Sequence, residues 1–164
     1  MEIKIRPYQV EDTAAILEII NYNILNSTAL YDYEPRNLAQ QLAIFEDKIS
    51  KGFPIIIAEV EGTIAGFGYY SEFRYRAAYQ FTVEHSVYTD NRYIGKGVGK
   101  LLLTELIRLA QAQKLHTMIG VIDSENSTSI AFHKKFGFEE AGFIKESGYK
   151  FDRWLHSVFM QKML

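Results

Sequence analysis

The 164-residue sequence contains no cysteine, which removes both a disulfide framework and a thiolate nucleophile. It also lacks a charge excess. Eighteen Lys and Arg against 20 Asp and Glu leave a net charge of −2, too little for a polyanion-binding surface, so no nucleic-acid partner is expected. No apolar run approaches the roughly 20 residues of a spanning helix, and no membrane partner is expected. Met1 to Arg6 alternates like a strand and does not read as a signal peptide. Repeats, low-complexity tracts and linker-like stretches are missing as well. None of the four histidines stands in a His-Glu-x-x-His or similar spacing, so no metal is expected. With 48% apolar residues, the plain expectation is a single domain over 1–164, cytoplasmic, either an enzyme or a binding module.

What is present centres on residues 81–113. Apolar and polar residues alternate from Phe81 to Thr89, placing Phe81, Val83, His85 and Val87 on one face of a strand and Glu84, Ser86 and Tyr88 on the other. A polar turn over 90–94 leads into Gly95-Lys96-Gly97-Val98-Gly99-Lys100. Apolar residues at 98, 101, 102, 106 and 109 then predict a helix of about four turns. The first turn of such a helix carries N–H groups without internal partners, at the positive end of the helix dipole. Glycines allow an anion to approach them, and Arg92, Lys96 and Lys100 add charge there. The pattern predicts a phosphate site. It is not a dinucleotide fingerprint, because Lys100 stands where the third glycine is needed, nor a triphosphate loop, because Gly99-Lys100 runs into Leu101.

Around this centre the chain reads in order. Ile3 and Ile5 open a strand that Pro7 confines. Ala15, Ile16, Ile19, Ile20 and Ile24 mark one helix, and Leu38, Leu42, Phe45 and Ile49 a second, closed by Gly52. The aperiodic stretch between them, 27–35, is rich in aromatic and acidic groups, and Tyr31 there is a candidate substrate contact. Residues 54–60 and 63–73 form a hairpin about Glu61-Gly62. Arg74 and Arg76, with Tyr79 beside them, offer paired donors for a carboxylate or phosphinate; they also fit as plain surface charges. Thr117–Ile122 reads as a strand and 127–136 as a short helix with Ser129, Phe132, His133 and Phe136 near one side, stopped by Gly137. Two strands, 139–145 and 153–162, close the chain through Glu146-Ser147-Gly148-Tyr149. The order implies an α+β domain with a mixed sheet and helices on both faces. Aromatic stripes at Tyr69-Tyr70-Phe73-Tyr75 and Phe151-Trp154-Phe159 serve core packing first and a homodimer face second.

Two motifs carry a resemblance to a known family. Arg92-x-x-Gly95-x-Gly97 resembles the pyrophosphate signature of the GNAT superfamily of N-acetyltransferases, and Asn126 to Phe138 resembles the later motif of the same superfamily, with His133 where a tyrosine is usual. Thr82-Val83-Glu84-x-Ser86-Val87-Tyr88, 122–126 and Lys150-Phe151-x-x-Trp154 are similar to segments of its phosphinothricin N-acetyltransferase-like branch. The resemblance implies the GNAT fold, with a mostly antiparallel sheet and two splayed parallel strands, and acetyl-coenzyme A as cosubstrate. It implies that Val87, Tyr88 and Thr89 pair with the pantetheine arm, that Arg92, Gly95, Lys96, Gly97, Val98, Gly99 and Lys100 hold the diphosphate, and that Asn126 reaches the arm. Lys135 meets the nucleotide end or is a solvated helix residue.

Acetyl transfer to an amine requires removal of an ammonium proton, and Glu84 is the preferred base, directly or through one water; an ion-paired sheet glutamate is the alternative. His133 is a candidate general acid or a packing residue. His85 belongs to the opposite face unless a bulge brings it to the substrate. The expected acceptor is a small-molecule amine, the α-amine of phosphinothricin, methionine sulfoximine or methionine sulfone, attacked directly in a ternary complex. A protein N-terminal or diamine acetyltransferase and a catalytically silent acyl-coenzyme A binding module are the other readings.

Overall fold

The computed structural model describes residues 1–164 as a seven-stranded mixed sheet with helices on both faces. The strands are β1 (Lys4–Pro7), β2 (Ile55–Val60), β3 (Thr63–Glu72), β4 (Thr82–Thr89), β5 (Thr117–Asp123), β6 (Glu139–Lys150) and β7 (Arg153–Met163), in the order β1-β2-β3-β4-β5-β7-β6. Only β4 and β5 run parallel, joined by the crossover helix α3 (Val98–Ala112). Their pairing is confined to Thr82–Thr117, Val83–Met118 and Glu84–Ile119, and beyond it the two strands part.

Each face of the sheet is covered because alternation along the strands sends apolar side chains both ways. Val83, with Ile56, Tyr70 and Met118, packs on Val98, Leu102, Leu103 and Leu106 of α3. On the other face Ile55, Ile57, Phe67 and Tyr88 pack on Ile16, Ile19, Ile20 and Ile24 of α1 (Thr13–Asn26) and on Phe45 of α2 (Leu38–Ser50). The β2–β3 hairpin turns at Glu61 and Gly62, both at positive φ as a two-residue turn requires.

Three expectations are corrected. Helix α2 buries Gln41 and Phe45 while Leu38 and Ile49 are exposed, because its apolar stripe is rotated by the aromatic cluster of Tyr8, Phe67 and Tyr69 around Phe45. In α3 it is Leu103, not Leu101, that is buried. The last hairpin turns at Phe151-Asp152, both at positive φ; the Glu146 region is instead an irregularity inside β6, where the register shifts between Ile144 and Gly148.

Candidate active site

The short α4 (Ser127–Lys135) and the start of α3 flank the opening between β4 and β5. Gly95 and Gly97 both adopt positive φ, 78° and 87°, a left-handed backbone that glycine accepts without strain. The loop thereby delivers α3 with its first amides uncapped: the N–H groups of Gly97, Val98, Gly99 and Lys100 donate to no protein acceptor. This turn lies close to the sheet: a β-carbon at Gly99 would stand in ordinary contact with Phe132, Thr89 and Val87 at 3.8 to 4.0 Å. Lys96 and Lys100 are exposed at this end, whereas Arg92 is held by Asp90, Nη2 to Oδ2 at 2.7 Å. These residues fit a diphosphate: free donors, two cations and no acidic group without a partner among them.

The open edge of β4 follows from its register. Asp90 N donates to Ala65 O at 2.9 Å and Phe73 N to Thr82 O at 3.3 Å, so even-numbered β4 residues exchange backbone bonds with β3 and odd-numbered ones turn theirs toward β5. Since β5 has departed after Ile119, the backbone groups of Val87 and Thr89 face the gap. Tyr88 does not share in this. Its backbone groups are turned to β3 and its buried ring stacks on Phe67, centroids 5.1 Å apart. At the far side of the gap Asn126 caps α4, accepting from Ser129 N at 3.0 Å through Oδ1. Lys135 is exposed and unpaired at the end of the same helix.

On the α1–α2 face, Glu84 lies opposite Ser71 and Ser86 opposite Tyr69. Burial raises the pKa of Glu84, and the charges of Arg74 and Lys48 pull it down. A half-buried carboxylate with no salt bridge is what a base at neutral pH requires. Of the two arginines, Arg74 lies within electrostatic reach of Glu84, its guanidinium 4.9 Å from the Phe73 ring. Arg76 stacks on the exposed Tyr75 ring, and Tyr79 meets Phe73 edge-on at 6.0 Å. Lys48 carried no sequence signal, since one lysine on the polar side of a helix looks like any other. The fold brings it over the Tyr69 ring at 4.6 Å.

The two histidines stand on the other face. The β3–β4 register runs without a bulge from Val83 to Thr89, so His85 points to the face opposite Glu84. It meets His133 at the fork, Nε2 to Nε2 at 3.0 Å, both rings buried against Phe138. Their protons can be assigned. His133 Nδ1 is 2.7 Å from the Ser129 carbonyl oxygen, which only accepts, so Nδ1 carries the hydrogen and Nε2 accepts from His85 Nε2–H. That leaves His85 Nδ1 buried without a partner. Burial and the facing ring lower the pKa of His85 to about 3, and burial lowers that of His133. In this arrangement the Nδ1–H of His133 is committed to Ser129 O and its Nε2 to His85, and burial favours the neutral ring between β4 and α4.

The 27–35 loop is fastened over the end of the sheet. Lys150 is buried and donates to the carbonyls of Ser27 and Leu30 at 2.9 and 2.6 Å; Thr28 Oγ1 donates to Asp123 Oδ2 at 2.6 Å; the Tyr33 hydroxyl donates to Tyr149 O at 2.5 Å. Tyr31 lies on Gly148, where a β-carbon would approach its ring to 2.6 Å.

The acetyltransferase (GNAT) family model matches residues 20–138. The L-methionine sulfoximine/L-methionine sulfone acetyltransferase of Pseudomonas aeruginosa is 40% identical over 162 residues, 98% of this chain and 94% of its own. The phosphinothricin N-acetyltransferase of Alcaligenes faecalis is 34% identical over 161 residues, 98% of this chain and 82% of its own. The crystal structure of a GNAT superfamily phosphinothricin acetyltransferase from Sinorhizobium meliloti in complex with AcCoA matches with a TM-score of 0.97 and 38% identity, covering 100% of this chain and 89% of that one.

Proposed function

Because the chain belongs to the acetyltransferase (GNAT) family and is an acetyl-CoA-dependent N-acetyltransferase, we propose that its acceptor is the α-amine of a small amino acid or analogue of the methionine sulfone, methionine sulfoximine or phosphinothricin type. The observation that carries this reading is the pairing of four unpartnered amides at 97–100 with an open β4 edge, one side chain away from a half-buried glutamate.

In this reading acetyl-coenzyme A supplies the thioester, and the chain supplies position and proton transfer. The amides of 97–100, with Lys96 and Lys100, hold the diphosphate, and Val87 and Thr89 pair with the pantetheine arm. The N–H of Val87 meets the oxygen that gains negative charge when the amine attacks. Glu84 takes the ammonium proton. A thiol of ordinary pKa near 8.5 leaves without a side-chain acid, which agrees with neutral, committed histidines. Arg74 is the arginine placed to meet the substrate's anionic group.

A thiol-release assay across methionine sulfone, methionine sulfoximine, phosphinothricin, polyamines and peptide N-termini tests the acceptor class. Turnover should be confined to the first three; preference for polyamines or peptides would overturn it. A second copy of the chain is the proposed partner, covering Phe143, Tyr149, Phe151 and Trp154, which are 44% to 59% exposed about the β6–β7 hairpin. A dimer is expected in sedimentation equilibrium, and a monomer at micromolar concentration would remove this part.

A further inference from the structure

Helix α2 carries a cation, Lys48, that forms no salt bridge. Lys48 is partly buried, with Nζ 4.6 Å from the centroid of the Tyr69 ring and 3.3 Å from Ser71 Oγ, its only hydrogen-bond partner. Its acidic neighbours are occupied elsewhere: Asp47 and Glu72 both pair with Lys51, at 2.9 and 3.1 Å. An ammonium offers three donors, and beyond Ser71 Oγ and the face of Tyr69 no protein acceptor meets them. Ser71 stands directly across from Glu84, which puts the lysine one side chain from the base and on the same side of the sheet.

Burial lowers the pKa of Lys48, so a half-buried ammonium with one hydrogen bond is better solvated once a ligand completes it. A basic group there also works against Glu84, since it stabilises the carboxylate and weakens it as a proton acceptor. An anionic group of the acceptor resolves both. It satisfies the free donors of Lys48 and, by screening that charge, restores basicity to Glu84 once substrate is bound.

We propose that Lys48 is a specificity-determining residue of the acceptor site, binding with Arg74 the anionic group of the amine substrate while Glu84 takes its proton. The proposal rests on the amino-acid acceptor reading above and names the residue behind it. The anion is either the α-carboxylate, common to all three candidate substrates, or the distal phosphinate that phosphinothricin alone carries.

Lys48→Met keeps a long side chain beside Tyr69 and removes the charge; Lys48→Arg keeps the charge and controls for folding. With methionine sulfone as acceptor, Lys48→Met should raise KM about tenfold or more, leave KM for acetyl-coenzyme A unchanged, and be largely rescued by Lys48→Arg. The neutral carboxamide of methionine sulfone should show no such rise. If the effect is confined to phosphinothricin, the distal phosphinate is the anion; if it covers methionine sulfone as well, the carboxylate is. The acid limb of the kcat/KM profile supplies a readout that lost packing does not move. Glu84 is faced by Arg74 from the loop after β3, by Lys48 from α2 and by Tyr69 from β3, so removing Lys48 should shift that limb to higher pH. Turnover of the carboxylate amines with an unchanged KM and an unshifted limb in Lys48→Met would overturn the role of Lys48 alone. No turnover of any of them by the unmodified enzyme would remove the acceptor reading and this role together.

Discussion

Glu84→Gln should lower kcat by a factor of about 10² or more, the usual contribution of a positioned general base, while calorimetry finds coenzyme A binding as tightly as before. Gln has the size of Glu and offers no basic oxygen, so the substitution tests proton transfer and little else. Affinity for the cosubstrate is expected to survive because the donors for the diphosphate are backbone amides at 97–100, on a different element. The pH profile gives the sign independently. Burial raises the pKa of Glu84, and the base works only when ionised, so kcat/KM should climb as pH rises through that raised value. In the Gln variant this climb should vanish. A variant with full kcat and an intact acid limb would take Glu84 out of the mechanism and leave a water or another group as the proton acceptor.

The second large effect is expected at Gly120→Ala. Gly120 lies one residue past the last β4–β5 pair, and a β-carbon there would stand 2.9 Å from His85 Nε2 and 3.1 Å from His133 Nε2. Neither ring is a free end that can swing aside, since both are buried and joined to each other at 3.0 Å. Forcing a methyl group into such a site costs about 1–3 kcal/mol, read as a lower urea midpoint and a lower Tm. An unchanged midpoint would mean that the two rings do not fill the fork. The same pair makes stability pH-dependent. An unfolded histidine binds a proton below about pH 6.5, while folded His85 resists it down to about 3. Below 6.5 the unfolded chain therefore holds more protons, and stability, complete above that pH, is lost as pH falls, by up to about 1.4 kcal/mol per unit for each buried histidine. NMR should find the His85 ring neutral at pH 5; a protonated ring there would contradict the buried tautomer assignment.

Much of this site was legible in the chain as written, for reasons tied to local geometry. Alternation over 81–89 does place Glu84 and His85 on opposite faces, and the glycines at 95 and 97 do turn the chain so that α3 begins with free amides. These properties depend on φ, on side-chain period and on which backbone groups a helix leaves unpaired, and all three act within a few residues. What lies beyond local geometry depends on distant partners. Which way Tyr88 turns its N–H is set by the partner strand, here β3, some 20 residues away in sequence. The last hairpin was misplaced because Phe151 and Asp152 adopt a left-handed turn without a glycine to announce it, and the irregularity in β6 is set by pairing with β7.

By itself the sequence determined the glycine turn before α3, the strand that carries Glu84 and the family, since each is written in short-range spacing and residue type. Only the tertiary structure decided that the two histidines are buried against each other at the fork, that Lys48 comes near Glu84 without a salt bridge, and that β5 leaves β4 after three pairs. Those outcomes join residues 23 to 48 positions apart, and burial, charge compensation and strand separation at such distances exist only once the chain has closed on itself.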